Sequence, residues 1–190
     1  MDLKKQEENF KYHKATFTDY GNIKILDFKN PESSQYRIRF LFEEDFCRLH
    51  ISGDLGELIA TNYNNMTYEK FSDFVDNIGY FKEKIDCHNR AIYRYDEEKA
   101  RKDIKEYMEE FGVEKDDFSD GFLLYDTDDE AIDDILEDFD DERGMGSKGY
   151  DVFSHGFSDA WEFAGDIGKE STGILDLYML AFKLATKKLN

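Results

Sequence analysis

Hydrophobic positions recur with a period of two in the first part of the chain and at helical spacing in the remainder, which predicts sheet before helix. From Tyr36 to Phe42, the residues Tyr36, Ile38, Phe40 and Phe42 fall on one side and Arg37 and Arg39 on the other. That alternation marks a strand with one buried face. Further strands are expected at Ile23 to Phe28, Phe46 to Ile51 and Glu57 to Tyr63. Pro31 to Gln35, Glu43 to Asp45 and Ser52-Gly53-Asp54-Leu55-Gly56 separate them as turns, and turns this short join antiparallel neighbours.

Helical spacing takes over after Thr67, a capping residue followed by Phe71, Phe74, Val75 and Ile78. Asp96 caps a second expected helix, whose Ala100, Ile104, Tyr107, Met108 and Phe111 form one stripe before Gly112 ends it. A third begins near Thr172 and carries Ile174, Leu177, Tyr178, Ala181, Leu184 and Ala185. Its Lys183, Lys187 and Lys188 lie where a helix C-terminus favours cations. The glycine-rich run from Arg143 to Gly149 reads as a flexible connection. The expected fold class is α+β, an antiparallel β-meander packed with helices, plus an acidic helical C-terminal part. The expected division is an α+β domain over 1–112, with an acidic helical segment and the C-terminal helix over 113–190 packed on it.

Composition adds bounds to this pattern. A chain of 190 residues, 40% hydrophobic and 16% aromatic, supports one substantial core or a core with an appended subdomain. No apolar run approaches the roughly 20 residues of a membrane helix. The opening MDLKKQEENF lacks the apolar stretch of a signal peptide. Cys47 and Cys87 are too few for a disulfide framework. A cytoplasmic protein with free thiols and no membrane partner is expected. The net charge of −19 is unevenly spread: between Glu109 and Glu142 stand 17 acidic residues and one basic residue, Lys115, while elsewhere 27 acids face 24 bases. Such a field repels nucleic acid, so no autonomous DNA binding is expected, and it attracts basic grooves on other proteins.

Within that segment, Thr127-Asp128-Asp129-Glu130 fits a capping box, and Ile132, Ile135, Leu136 and Phe139 form an apolar stripe. Asp133, Asp134, Glu137, Asp138 and Asp141 then face outward along a helix of about 20 Å, at separations comparable with nucleic-acid phosphates. Asp128, Asp129, Asp133, Asp134, Glu137, Asp138 and Asp141 are therefore the candidate partner-binding residues of a nucleic-acid mimic. The plainer alternative is an amphipathic helix with a solvated acidic face. In either case Asp133, Asp134, Glu137 and Asp138 are expected to be dispensable for folding, because exposed charges contribute little to it.

Other chemistry is weaker. Asp126, Asp128, Glu130, Asp134 and Glu137 match the ligand spacing of an EF-hand loop, but Ala131 stands where that loop requires glycine. Cys47, His50, Cys87 and His88 lack zinc-ligand spacing. His13, His50, His88 and His155 are scattered without a nucleophile motif, and Gly144 and Gly146 lack the strand before and the helix after them that a phosphate loop needs. No metal, cofactor or catalytic residue is expected. Lys24, Arg37, Arg39 and Arg48 alternate with apolar residues on the sheet, which makes Arg37, Arg39 and Arg48 candidate RNA contacts. The competing reading is a solvated face whose arginines pair with nearby acids. Phe153, Phe157, Trp161 and Phe163 are either an interface anchor or core, and Trp161 is expected to close the fold with Ile167.

The segments YRIRFLFEEDFCRLHISGDLG, NIGYFKEKIDC, DEEKARKDIKEYMEEFG and DAWEFAGDIGKESTGILDLYMLAFKLA together resemble a family of acidic proteins from phages and mobile elements of Firmicutes that includes type II-A anti-CRISPR proteins. The resemblance covers most of residues 20 to 190 and rests on fold and aromatic positions, without a catalytic signature. It implies an inhibitor that binds Cas9, or Cas9 with its guide RNA, and interferes with guide RNA or target DNA. Shortening of the guide is the enzymatic variant of that expectation. The competing class is an immunity protein that covers a basic nuclease toxin with acidic side chains.

Overall fold

Short turns hold the first strands of the meander in antiparallel register, and the last strand joins them after a longer connection that carries two helices, so the sheet grows in chain order. The computed structural model describes residues 2–119, 121 and 124–189. Helix α1 (Leu3–Glu7) precedes β1 (Lys14–Asp19), β2 (Ile23–Lys29), β3 (Ile38–Glu43), β4 (Arg48–Gly53), β5 (Leu58–Thr61), α2 (Ser72–Val75), α3 (Ile78–Lys82) and β6 (Ile85–His88). Then follow β7 (Tyr93–Tyr95), α4 (Glu97–Phe111), α5 (Asp128–Ile135), α6 (Ser147–Gly156), α7 (Ala160–Phe163), β8 (Lys169–Ser171) and α8 (Ile174–Leu189). The fold is α+β. Two compact units emerge: a sheet unit, Met1–Ile92 with Gly173–Asn190, and an acidic unit, Tyr93–Thr172. These boundaries differ from the expected one at residue 112. The acidic unit includes α4, and α8 belongs with the sheet.

In the sheet unit the strand order is β1-β2-β3-β4-β5-β6, every pair antiparallel. Leu26, Phe28, Ile38, Phe40, Phe42 and Leu49 are buried on one face. Helix α8 supplies the cover: Phe182 lies edge-on to Phe40 at 5.5 Å and to Phe71 at 4.8 Å. Burying a ring of this size contributes roughly 2–3 kcal/mol. Tyr178 is buried too, donating its hydroxyl to the Leu55 carbonyl at 3.0 Å, and burial pushes its pKa up to about 12. At the far end of α8, the Lys188 ammonium donates to the carbonyls of Phe10, Lys11 and His13.

Three expectations for this unit are corrected. Strand β4 starts at Arg48 because Glu44–Phe46 forms a 3-10 turn and Cys47 turns left-handed at φ 52, which leaves Phe46 65% exposed. Tyr36, expected within β3, precedes it at φ 56. The helix expected after Thr67 is two short ones, because the Asn77 side chain accepts the Tyr80 amide at 3.2 Å and starts α3 anew. Strand β1 was not expected: its apolar content is Ala15 and Phe17 among polar residues. Gly53 is required where it stands. Its φ is +145, and a Cβ there would lie 1.9 Å from the Arg37 carbonyl oxygen.

The acidic unit has its own core, centred on Ile104, Met108, Ile132, Ile135, Phe153 and Phe157. Helix α4 begins and ends as its sequence predicts. Asp96 accepts the Lys99 amide at 2.8 Å, and Gly112 closes the helix at φ 65. Strands β7 and β8 pair antiparallel, with Arg94 and Glu170 opposite each other and ion-paired at 3.0 Å. The run from 143 to 149, expected as a flexible connection, is ordered instead. Asp140 and Gly144 exchange backbone hydrogen bonds of 2.9 and 2.7 Å, and α6 begins at Ser147, so a helix does follow Gly146. Gly149 is there for proximity, since a Cβ would meet the Ile135 carbonyl oxygen at 1.9 Å. Among the described residues no helix is long and apolar enough to cross a membrane.

Candidate functional surface

The two units divide the charge almost completely. The acidic unit holds 27 acidic and 9 basic residues, a net −18, whereas the sheet unit holds 17 and 16, a net −1. Eight of those nine bases are ion-paired within the acidic unit; Arg143 is in no ion pair among the described residues.

The expected acidic row is shorter and more engaged than its sequence suggests. Helix α5 has 8 residues and stops at Ile135, about 12 Å at 1.5 Å per residue. Glu137, Asp138 and Asp141 therefore lie beyond it. The Thr127 hydroxyl accepts the Glu130 amide at 3.2 Å as expected of a cap, but the Glu130 carboxylate accepts from Asp126 rather than completing the box. Lys105 binds Asp129 at 2.7 Å and holds its carboxyl below the usual range. Arg101 binds Asp133 at 2.5 Å, so α4 neutralises two members of the row.

Asp134 and Asp138, expected to be exposed, are half-buried. Asp134 accepts the Tyr125 hydroxyl at 2.6 Å. Asp138 accepts the amides of Gly149 at 2.9 Å and Lys148 at 3.0 Å, which caps α6 and lowers its own pKa. Lys148 also reaches Glu137 at 3.5 Å. Asp128 and Asp141 make no side-chain hydrogen bond or ion pair among the described residues. Five of the seven candidate carboxylates are thus partnered inside the unit, and Asp138 is needed for local structure.

On the sheet, the expected basic row is dispersed. Asp27 clasps Arg39 with two hydrogen bonds of 2.8 and 2.9 Å. Arg48 pairs with Glu43 at 3.7 Å and covers the Phe46 ring at 5.7 Å. Lys24 sits beside Phe42, on the core side, and bridges Glu44 and Glu69 at 2.6 and 3.0 Å. Arg37 remains exposed; it lines a shallow depression on the outer face with Lys29, Arg39, Ser52 and Glu57. Pairing of arginines with acids, the plainer reading, prevails for Arg39 and Arg48.

The histidines do not converge. Buried His13 meets the Tyr36 carbonyl, His50 meets Glu43, His88 meets the Arg90 carbonyl, and His155 meets the Phe118 carbonyl. Among the described residues no three histidine, cysteine, aspartate or glutamate side chains come together to hold a metal ion. The aromatic stretch splits in a way its sequence did not indicate. Phe153 and Phe157 are core, whereas Trp161, expected to close the fold, stands 70% exposed. The short α7 places it outward while Ala160 and Ala164 take the inward positions.

Fold and surface together define an α+β protein in which a nearly neutral sheet-and-helix unit carries an anionic helical unit. No known protein family, curated protein or solved structure matches the chain.

Proposed function

We propose that this protein works by binding, as an inhibitor that occupies a basic, nucleic-acid-handling surface of another protein, and that a type II-A Cas9 effector, alone or with its guide RNA, is the partner. The observation that carries this reading is the concentration of net −18 in the acidic unit against −1 in the sheet unit. Cas9 holds nucleic acid in positively charged channels and reads its short DNA motif with arginines. An anionic unit of fixed shape competes for such a surface, and its field speeds the encounter. The family resemblance supports Cas9 in particular. Direct contact of the sheet with guide RNA, and with it guide shortening, has less support, because Arg39 and Arg48 are already paired with acids.

The test is cleavage of target DNA by Cas9, with the protein added before or after the guide RNA and the guide analysed on a gel. Inhibition that weakens as salt rises is expected, with the guide intact. The order of addition separates blocked guide loading from blocked DNA binding. No inhibition of several Cas9 orthologues overturns the proposal and transfers it to the immunity class, for which basic nuclease toxins are the partners to assay.

A further inference from the structure

Trp161 is the chain's only tryptophan, and it is 70% exposed while its neighbours Phe157, Ala160 and Ala164 are buried. Beside it lies an open depression of roughly 460 Å³, lined by Met145, Tyr150, Ala164 and Gly165 and also by Arg143 and Asp151. Exposed indoles are the side chains most enriched at the centres of protein interfaces, and their faces attract cations. The surroundings identify the occupant. Asp151, which lines the depression, and Glu162, next to Trp161 in the chain, are exposed, and their carboxylates make no hydrogen bond or ion pair among the described residues. The acids near α5 are mostly committed to Lys105, Arg101, Tyr125 and the α6 cap; these two are not.

We infer that the centre of the partner-binding surface is the Trp161 depression, and that it receives an arginine-bearing segment of a basic protein. A guanidinium plane stacks on the indole, its apolar stem lies against Met145 and Ala164, and the free carboxylates meet its charge. Arg143 is the one opposing cation among the described residues that line the site. This placement rests on the reading of a basic partner and moves its focus from α5 to α7.

The experiment titrates the full chain with an oligoarginine peptide, using an oligoglutamate peptide as control, by calorimetry and by emission excited beyond the tyrosine band. Because there is one tryptophan, the emission reports this site alone. Binding is expected to shift it. Trp161→Ala should weaken the calorimetric affinity roughly tenfold with unchanged circular dichroism, and Trp161→Phe should weaken it less. Paired Asp151→Asn and Glu162→Gln should also weaken it, whereas Arg143→Ala should tighten it. Heat of binding with unmoved emission and an unaffected Trp161→Ala variant overturns the placement while the basic-partner reading stands. No heat of binding at low salt overturns both.

Discussion

The sheet unit and the acidic unit are built on the same rule and finished differently. Each buries a cluster of aromatic and aliphatic side chains, Phe40, Phe71 and Phe182 in one, Phe153, Phe157 and Ile132 in the other. On the outside they diverge. The sheet unit balances its charges locally, with Asp27 on Arg39, Glu43 on Arg48 and Glu44 on Lys24. Among the described residues the acidic unit uses eight of its nine bases in ion pairs, and it still carries a large excess of carboxylates. Crowded like charge opposes a compact state. Since a nearly neutral unit of the same chain assembles its core without that excess, folding does not explain it, and the acids are better understood as directed outward.

The sharpest test of the comparison removes one core ring from each side. Phe182→Ala and Phe153→Ala should each cost about 3–5 kcal/mol. Urea unfolding read by amide-exchange probes in α4 and in β3 should then show Phe153→Ala moving the α4 transition and Phe182→Ala moving the β3 transition. Equal shifts in both probes for both variants would merge the two units into one cooperative structure.

A smaller effect separates structural carboxylates from outward ones. Asp138→Ala should lower stability by about 1 kcal/mol, the usual loss when a cap is removed. Asp133→Asn, which removes an exposed pair with Arg101, should stay within about 0.5 kcal/mol. Thermal melts of the two variants check the order, and equal losses would mean that the α4–α5 ion pairs matter as much as the α6 cap.

The subtlest distinction is one of pH window. Burial lowers the pKa of His13 below 6.5, and its Nδ1 is buried without a hydrogen-bond partner among the described residues. The unfolded chain therefore takes up the proton first, and stability should fall as pH drops below 6.5. Asp129 and Asp138 are held below 3.8, so the stability they contribute is present above that value and is lost as pH falls through their lower folded values. Urea midpoints on either side of pH 6.5 should move for the natural chain and flatten for His13→Gln. A flat profile in the natural chain removes His13 as the sheet unit's titrating group.

Much of this architecture is legible in the sequence, where a local cause acts alone. The alternation Ile38, Phe40, Phe42 places three residues in the core, and Asp96 and Gly112 bound α4 by capping chemistry. What escapes is whatever depends on distant partners. Strand β1 is half polar and is held by its pairing with β2. The glycines from 144 to 149 resemble a linker because glycine serves flexibility and close approach alike; only the nearness of Gly149 to Ile135 tells which. The candidate acidic row is shorter and more engaged than its sequence suggests for a related reason. Charge can be counted along a sequence, but the bases of α4 and the bare amides of α6 that take up those carboxylates lie 10 to 32 residues away. Trp161 was misplaced because an isolated aromatic gives no sign of which way a one-turn helix will face.

The sheet unit is assembled from two separate stretches of chain, with the acidic unit interposed between Ile92 and Gly173. During synthesis, residues 93–172 emerge before α8, whose Phe182 and Tyr178 complete the sheet's core. The acidic unit is therefore synthesised in full while Phe40 and Phe71 still await their cover. A chain that already carries this charge while its sheet face lacks α8 is expected to repel other nascent copies of itself, which opposes their aggregation in that interval.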